Sequence, residues 1–293
     1  MQPLPEINYP LTFPEGHTEQ SLLDYLSGFR LDGSGGDELV NYLREDYLRF
    51  VYTLNLVPPA SAGATLLEIG ANPYFMSILL RKFSGYQLSH TNYFGADGGV
   101  ADQVHRHASS GEAMTFSYAN CNVDTHDIPF SQPFDTVLFC EVLEHLIVDP
   151  MQALLRIKRS LKPDGMLILT TPNVARLENV ARLMAGENIY DPYSGYGPYG
   201  RHNREYSRHE LFLLLDHCGF ELESVFSSDV HTNRSENYFP VPLLTLALSS
   251  IQNRQWDLGQ YIFLRARNAR PARAGKPRWL FRSCPESEMA AGT

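Results

Sequence analysis

The chain has 293 residues, 43% apolar and 19% charged, which excludes a disordered, collagen-like or coiled-coil polypeptide and leaves room for one large domain or two small ones. Lysine and arginine total 24 against 33 aspartate and glutamate, and the net charge of -9 argues against nonspecific attraction to nucleic acid or anionic lipid. Basic charge gathers near the end, where Arg265, Arg267, Arg270, Arg273, Lys276, Arg278 and Arg282 follow one another with no acid between.

Residues 1–18, rich in proline and polar groups, are expected to wrap the surface. Predicted helices at 21–29 and 38–55 flank a Gly-Ser-Gly-Gly turn at 33–36, and the second carries an apolar stripe of Val40, Leu43, Tyr47, Val51 and Leu54 at spacings of three and four. Pro58 and Pro59 stop that helix. A short apolar strand is expected at 64–69, then a helix at 76–83, with further strands at 86–91, 136–139 and 166–170. The helix after residue 149 has a legible start, with Asp149 as N-cap and Pro150 at the first helical position. Leu154, Leu155, Ile157 and Leu161 form its buried face, and Lys162-Pro163-Asp164-Gly165 makes the next turn. A helix at 174–184 leads to residues 190–200, which hold Tyr190, Tyr193, Tyr196 and Tyr199 among three glycines and two prolines. Such a loop fits a lid, with a packed surface loop as the alternative. A helix at 207–218 capped by Gly219 and strands at 221–227 and 260–266 complete the pattern. Alternating strands and helices point to parallel strands with helical crossovers. His105 and His107, in a polar stretch after Gly98 and Gly99, are expected at the surface, as is His126. The four cysteines, Cys121, Cys140, Cys218 and Cys284, lie far apart without a C-x-x-C pair, which fits a reducing cytoplasm rather than a disulfide scaffold. The first basic residue is Arg30 and no apolar run approaches a membrane span of about 18 residues, so neither a secretory signal nor a spanning helix is expected.

The most informative segment is LLEIGANPYF, residues 66–75. An apolar strand carrying Glu68, then Gly70 in a tight turn before a helix, is what a nucleotide-type cofactor needs at the carboxyl edge of a parallel sheet. Asn72, Pro73 and Tyr74 stand where a dinucleotide site would repeat its glycines, which argues against a pyrophosphate ligand. The segment resembles the first motif of class I S-adenosylmethionine-dependent methyltransferases, and FDTVLFCEVLEHL and LKPDGMLILTTPN are similar to that family's fourth strand, following helix and fifth strand. The resemblance covers roughly residues 66–173. It implies a doubly wound, mostly parallel seven-stranded α/β sheet, Rossmann-like, with S-adenosyl-L-methionine over the strand ends. Around the cofactor it puts Glu68, Gly70, Ala71, Asn72, Glu141, and Asn92 at the ribose, where the family carries an acid. Asp124 of NVDTHDIPF would accept the adenine amino group, with Asn122 and Asp127 as alternatives. The implied organisation is an N-terminal helical cap at 1–56, a methyltransferase domain at 57–267 with a lid insertion at about 185–206, and a basic, partly flexible tail at 268–293.

Glu141-Val142-Leu143-Glu144-His145 would gather two carboxylates and an imidazole on one side if it formed a helical turn. Such a cluster binds a cation or makes a general base, because facing carboxylates repel unless a cation favours both anionic forms. The run resembles the metal site of the small-RNA terminal 2'-O-methyltransferases, and His202 in RHNREYSRHEL matches their distant histidine. That likeness implies Glu141, Glu144, His145 and His202 as ligands for Mg(II) or Mn(II), with Glu144, His145 and His202 as the catalytic groups. Ubiquinone-biosynthesis O-methyltransferases share the Glu-x-x-Glu-His run. A metal-free site with His145 as base and a structural role remain alternatives. The TPN and RHNREYS segments and the C-terminal arginines resemble bacterial polysaccharide and natural-product sugar O-methyltransferases. This implies a sugar hydroxyl, on a small molecule or a nucleotide- or lipid-linked glycan, as acceptor; nucleic acid is not expected, and oligomerisation is left open. Tyr93, Tyr190, Tyr193 and Tyr196 are candidate acceptor contacts, and the basic tail could meet an acidic acceptor. Competing classes are a non-catalytic S-adenosylmethionine-binding partner subunit and a nicotinamide-dependent sugar oxidoreductase.

Overall fold

The computed structural model describes residues 11–32, 36–251, 254 and 257–290. The first ten residues and most of the Gly-Ser-Gly-Gly turn lie outside them. In chain order the elements are α1 (Glu19–Ser27), β1 (Phe29–Leu31), α2 (Gly36–Leu56), β2 (Thr65–Ile69), α3 (Phe75–Phe83), β3 (Gln87–Asn92), β4 (Val100–His107), β5 (Ala113–Asn120) and β6 (Phe134–Cys140). They continue with α4 (Pro150–Arg159), β7 (Leu161–Pro172), α5 (Leu177–Met184), α6 (Arg208–His217), β8 (Phe220–Ser228), α7 (Val241–Ser249) and β9 (Tyr261–Asn268).

The strands form one nine-stranded sheet in the order β1-β4-β5-β3-β2-β6-β7-β9-β8. The pairs from β5 through β7 are parallel; β9 runs antiparallel to β7 and β8, and β4 antiparallel to β1 and β5. Neighbouring residues on the central strands bury opposite ways. Leu67, Val137, Leu167 and Leu264 join the core under α4 and α6, whereas Leu66, Leu138, Ile168 and Phe263 join the core under α1, α2 and α3. A sheet covered on both faces explains why its central strands read as continuous apolar runs.

Two features depart from the seven-stranded, mostly parallel expectation. The stretch read as polar surface is the β4/β5 hairpin, in which Met114, Phe116 and Tyr118 are buried and alternate with exposed residues. His105 and His107 are therefore interior, at 0% and 9% exposure, because every second residue of β4 near its end faces the core. His126 is exposed as expected. The N-terminal segment, in turn, is not a separate helical cap. Its β1 extends the sheet edge against β4, and Leu43, Tyr47, Phe50 and Val51 of α2 share a core with the sheet.

Local signals held where capping chemistry was explicit. The Asp149 side chain accepts from Gln152 N at 3.0 Å with Pro150 next to it, and Ser207 with Glu210 forms a capping box at α6. The turn expected at 162–165 falls inside β7, whose pairing with β6 shifts register between Phe134 and Thr136. The basic tail packs back onto the domain: Leu280 and Phe281 lie against the α4/α6 core, and Arg273 N donates to His217 O. Arg265, Arg267, Arg270, Arg273, Lys276 and Arg278 all form ion pairs, with Glu223, Asp164, Glu221, Asp216, Glu288 and Glu286.

Candidate functional site

The carboxyl ends of β2, β3 and β6 meet at the turn after Ile69. Gly70 has φ +72°, and a Cβ there would stand 2.7 Å from Val142 Cγ2, so both backbone hand and space require glycine. Gly70 N and Ala71 N donate to Thr91 O at 2.8 and 3.3 Å, which ties the turn to β3. Asn92 staples the same turn. Its Oδ1 accepts from Asn72 N at 2.9 Å and its Nδ2 donates to Tyr74 OH at 2.7 Å, so both ends of the amide already work inside the protein. A ribose hydroxyl would have to use the remaining Oδ1 lone pair or the second Nδ2 hydrogen.

A small cavity of about 70 Å³ opens beside this turn, lined by Tyr42, Arg49, Glu68, Gly70, Asn72 and Glu141 among others. Arg49 arrives from α2, is 4% exposed, and donates from Nε to Asp46 at 2.9 Å and from Nη2 to Tyr42 OH at 2.8 Å. Glu68 accepts from Ser77 Oγ at 2.5 Å. Burial pushes the Glu68 carboxyl up to about 8, and burial together with Glu144 does the same for Glu141. A guanidinium facing two carboxyls complements the α-carboxylate, ammonium and sulfonium of S-adenosylmethionine. The sequence reading missed Arg49, which lies off the apolar stripe of α2, on the side that carries its partners Tyr42 and Asp46.

Asp124 has other partners than expected. Its Oδ2 accepts from Ile147 N at 2.8 Å and Val148 N at 2.9 Å, its Oδ1 from Asp149 N at 3.1 Å, and Tyr199 OH reaches Oδ2 at 3.3 Å. Asp124 is 1% exposed and locks the entry to α4, so its carboxylate does not stand open for an adenine amino group. Asn122 and Asp127 also have partners: Asn122 Oδ1 accepts from Asp124 N, and Asp127 pairs with Arg159.

The Glu-x-x-Glu-His run is not one helical turn. Glu141 takes φ +55° and only Leu143–His145 forms a 3₁₀ turn. The left-handed residue sends Glu141 toward the small cavity, where Thr170 Oγ1 donates to it at 2.7 Å. The group that could hold a cation among the described residues is therefore Glu144, His145 and His202, with one ligand atom from each within 4.8 Å of the others, and it does not include Glu141.

The three remaining groups are aimed. Glu144 is fully buried; Oε2 accepts from Thr171 Oγ1 at 2.9 Å, while Oε1 has no hydrogen-bond partner and lies 3.8 Å from His145 Nε2. His145 Nδ1 lies 2.9 Å from Arg201 O, and His202 Nδ1 lies 3.0 Å from Glu205 Oε1. In the neutral rings each partner fixes the proton on Nδ1 and leaves a lone pair on Nε2, the arrangement that orients metal-binding imidazoles. The two rings are 5.1 Å apart at 79°. Burial raises Glu144 to about 7, and burial with the neighbouring His202 lowers His145. Burial pulls His202 down, but its bond to Glu205 and the charges of Glu144 and Asp191 outweigh it and push the ring up to about 8. Arg176 in turn holds Glu205 at 2.5 Å.

Residues 198–205 close over this cluster: Asn203 N and Arg204 N donate to Glu144 O at 2.7 and 3.2 Å, and Asn203 Nδ2 to His145 O at 2.9 Å. Tyr190, Tyr193 and Tyr196 are more than 80% exposed. A cavity of about 830 Å³ adjoins His202 and Glu205, with Ile147, Val148, Tyr190, Tyr206 and Phe281 in its lining.

The family profile described as "Methyltransferase domain" matches residues 40–225. The chain belongs to this methyltransferase family. It is 26% identical over 196 residues to the mitochondrial ubiquinone biosynthesis O-methyltransferase of Bos taurus, covering 66% of this chain and 50% of that protein. The chain thus spans about half the length of that curated relative. Among solved structures, it is similar to an S-adenosylmethionine-dependent methyltransferase from Mesorhizobium loti (14% identity, TM-score 0.47, covering 76% of this chain and 97% of that one). Another is a SAM-dependent methyltransferase from Archaeoglobus fulgidus (14% identity, TM-score 0.47, covering 78% and 99%). No described helix is long and apolar enough to cross a membrane.

Proposed function

We propose that the chain is an S-adenosylmethionine-dependent O-methyltransferase that uses a divalent cation held by Glu144, His145 and His202. The observation that carries this reading is the buried Glu144 Oε1, without a hydrogen-bond partner and facing two imidazoles whose Nδ1 atoms are already engaged. A buried carboxylate oxygen left without a partner is costly, and a cation is the partner this donor set fits. One carboxylate and two imidazoles suit Mn(II) better than Mg(II), which prefers oxygen ligands. When bound, the cation lowers the pKa of the acceptor hydroxyl and fixes its direction.

The protein's own groups supply the rest. Arg49 takes the cofactor's α-carboxylate, Glu141 and Glu68 face its ammonium and sulfonium, and the Gly70 turn carries the chain past it. Methyl transfer forms an oxygen–carbon bond as the sulfonium–carbon bond breaks, giving S-adenosylhomocysteine, and holding both reactants in line supplies much of the rate. The hydroxyl proton leaves to water, since a cation held by His145 would occupy the Nε2 lone pair. The acceptor we favour is a hydroxyl of a sugar or glycosylated small molecule, since the larger cavity combines tyrosine faces with hydrogen-bonding groups. The paired state of Arg270, Arg273, Lys276 and Arg278 weakens the case for their binding an acidic acceptor.

A second reading, a metal-free enzyme with His145 as base, is favoured by its Nε2 lone pair and lowered pKa. Titration of metal-stripped protein with Mn(II) and Mg(II), on wild type and His202→Ala, separates the two. Uptake of one ion, lost in the variant, supports the metal reading. No uptake, with methyl transfer retained, leaves His145 as base, and cofactor binding without any transfer leaves a non-catalytic subunit.

A further inference from the structure

The segment carrying His202 also touches the cofactor side of the sheet. Tyr199 sits three positions before His202, and its OH reaches Asp124 Oδ2 at 3.3 Å while its ring meets Tyr93 edge-on at 5.5 Å and 79°. Tyr93 directly follows Asn92 at the end of β3, and Asp124 stands in the segment after β5; both lie at the carboxyl edge of neighbouring parallel strands, the edge at which open α/β sheets bind ligands. Within six residues of Tyr199 the same chain engages the cation cluster, through the Arg201 carbonyl on His145 Nδ1, His202 itself, the Asn203 and Arg204 amides on Glu144 O, and Glu205 on His202 Nδ1. Asn203 Nδ2 also donates to Pro198 O at 2.8 Å, so Tyr199 and His202 move as one short unit.

We propose that Tyr199 is a positioning residue that couples cofactor binding to the cation and acceptor site: adenine seated beside Tyr93 packs on the Tyr199 ring and thereby holds residues 198–205, with His202, over Glu144 and His145. This rests on the reading of the preceding subsection. Thermodynamic reciprocity then requires cofactor and cation to tighten each other's binding by the same factor. It also orders events, since a loaded cofactor completes the site at which the acceptor hydroxyl is activated.

Two readouts on the full chain test this. Amide hydrogen exchange with saturating S-adenosylhomocysteine should slow the amides of 199–205 in wild type. In Tyr199→Ala that protection should vanish while amides of β2 and α3 remain protected, which keeps loss of coupling apart from loss of binding. Calorimetry should give an Mn(II) Kd about tenfold tighter with S-adenosylhomocysteine than without it in wild type, a coupling of ordinary size. In Tyr199→Ala that factor should fall to within about twofold, with the Kd for Mn(II) alone changed by no more than that. Tyr199→Phe, which keeps the ring, should retain most of the coupling. Equal lid protection in wild type and Tyr199→Ala, or a wild-type lid that ignores the cofactor analogue, overturns the proposal. Lid protection without any Mn(II) binding removes the metal reading but supports the coupling of lid to cofactor. Failure of the analogue to bind removes both.

Discussion

Asp124 offers the sharpest contrast between a residue that binds a ligand and one that builds the site. Its carboxylate accepts three backbone N–H groups, from Ile147, Val148 and Asp149, at 2.8–3.1 Å. Hydrogen bonds to a charged group contribute about 1.5–3 kcal/mol each, and a buried donor left unpaired costs about 1–3 kcal/mol. Ile147 and Val148 are half-exposed in their side chains, so water can reach those amides after truncation, whereas Asp149 is buried. Asp124→Ala should therefore destabilise the apo protein by about 3 kcal/mol, taking one bond in full and the other two at a discount. For a chain of this size that is a fall in Tm of about 5 °C. The assay is calorimetric or fluorimetric melting without cofactor, alongside titration with S-adenosylhomocysteine. A melting point within about 1 °C of wild type, with cofactor affinity strongly reduced, would refute the argument and restore Asp124 as the adenine acceptor.

Other positions give equally direct outcomes. Gly70→Ala combines a left-handed backbone with a 2.7 Å contact to Val142, so it should cost about 2–4 kcal/mol and weaken cofactor binding, checked by melting and calorimetry. Arg49→Met should leave a folded protein by circular dichroism while raising the Kd for S-adenosylhomocysteine at least about tenfold, the loss of one charge-assisted hydrogen bond. Glu205→Gln should weaken Mn(II) binding by about 10–100-fold, the usual effect of removing the partner that orients a histidine ligand. His90 and His105 are buried with Nε2 of both and Nδ1 of His105 unpartnered, and burial lowers each ring to about 4. Because the unfolded chain takes up these protons first, stability should fall as pH drops from about 6.5 toward 4, by up to about 3 kcal/mol per ring, in denaturant titrations across that range. A His105→Phe variant should flatten the slope.

What could be read from the sequence followed the physical range of its signals. The strand–glycine–helix run at 64–83, the Asp149-Pro150 start of α4 and the start of α6 at 207 are local, and each sits close to its expected place. The β4/β5 hairpin was hidden because β4 mixes charged and apolar residues, although Met114, Phe116 and Tyr118 carried a two-residue period that would have revealed β5. β1, with only three residues, gives too short a pattern to register. In the site, Glu144 and His145 lie beside His202, which the family resemblance rather than spacing had singled out. The split between Glu141 and Glu144 was not legible, since it depends on one left-handed residue, Glu141 at φ +55°. Arg49 escaped notice for a related reason: only the docking of α2 on the sheet turns an arginine in an amphipathic helix into a buried cation facing Glu68 and Glu141.

The most direct test of the account is calorimetric titration of the metal-stripped wild-type chain with S-adenosylmethionine. One cofactor bound per chain, with affinity lost in Gly70→Ala, is the expected result; absence of binding at millimolar cofactor would contradict the assignment of the strand-end cavity and, with it, the proposed methyl transfer.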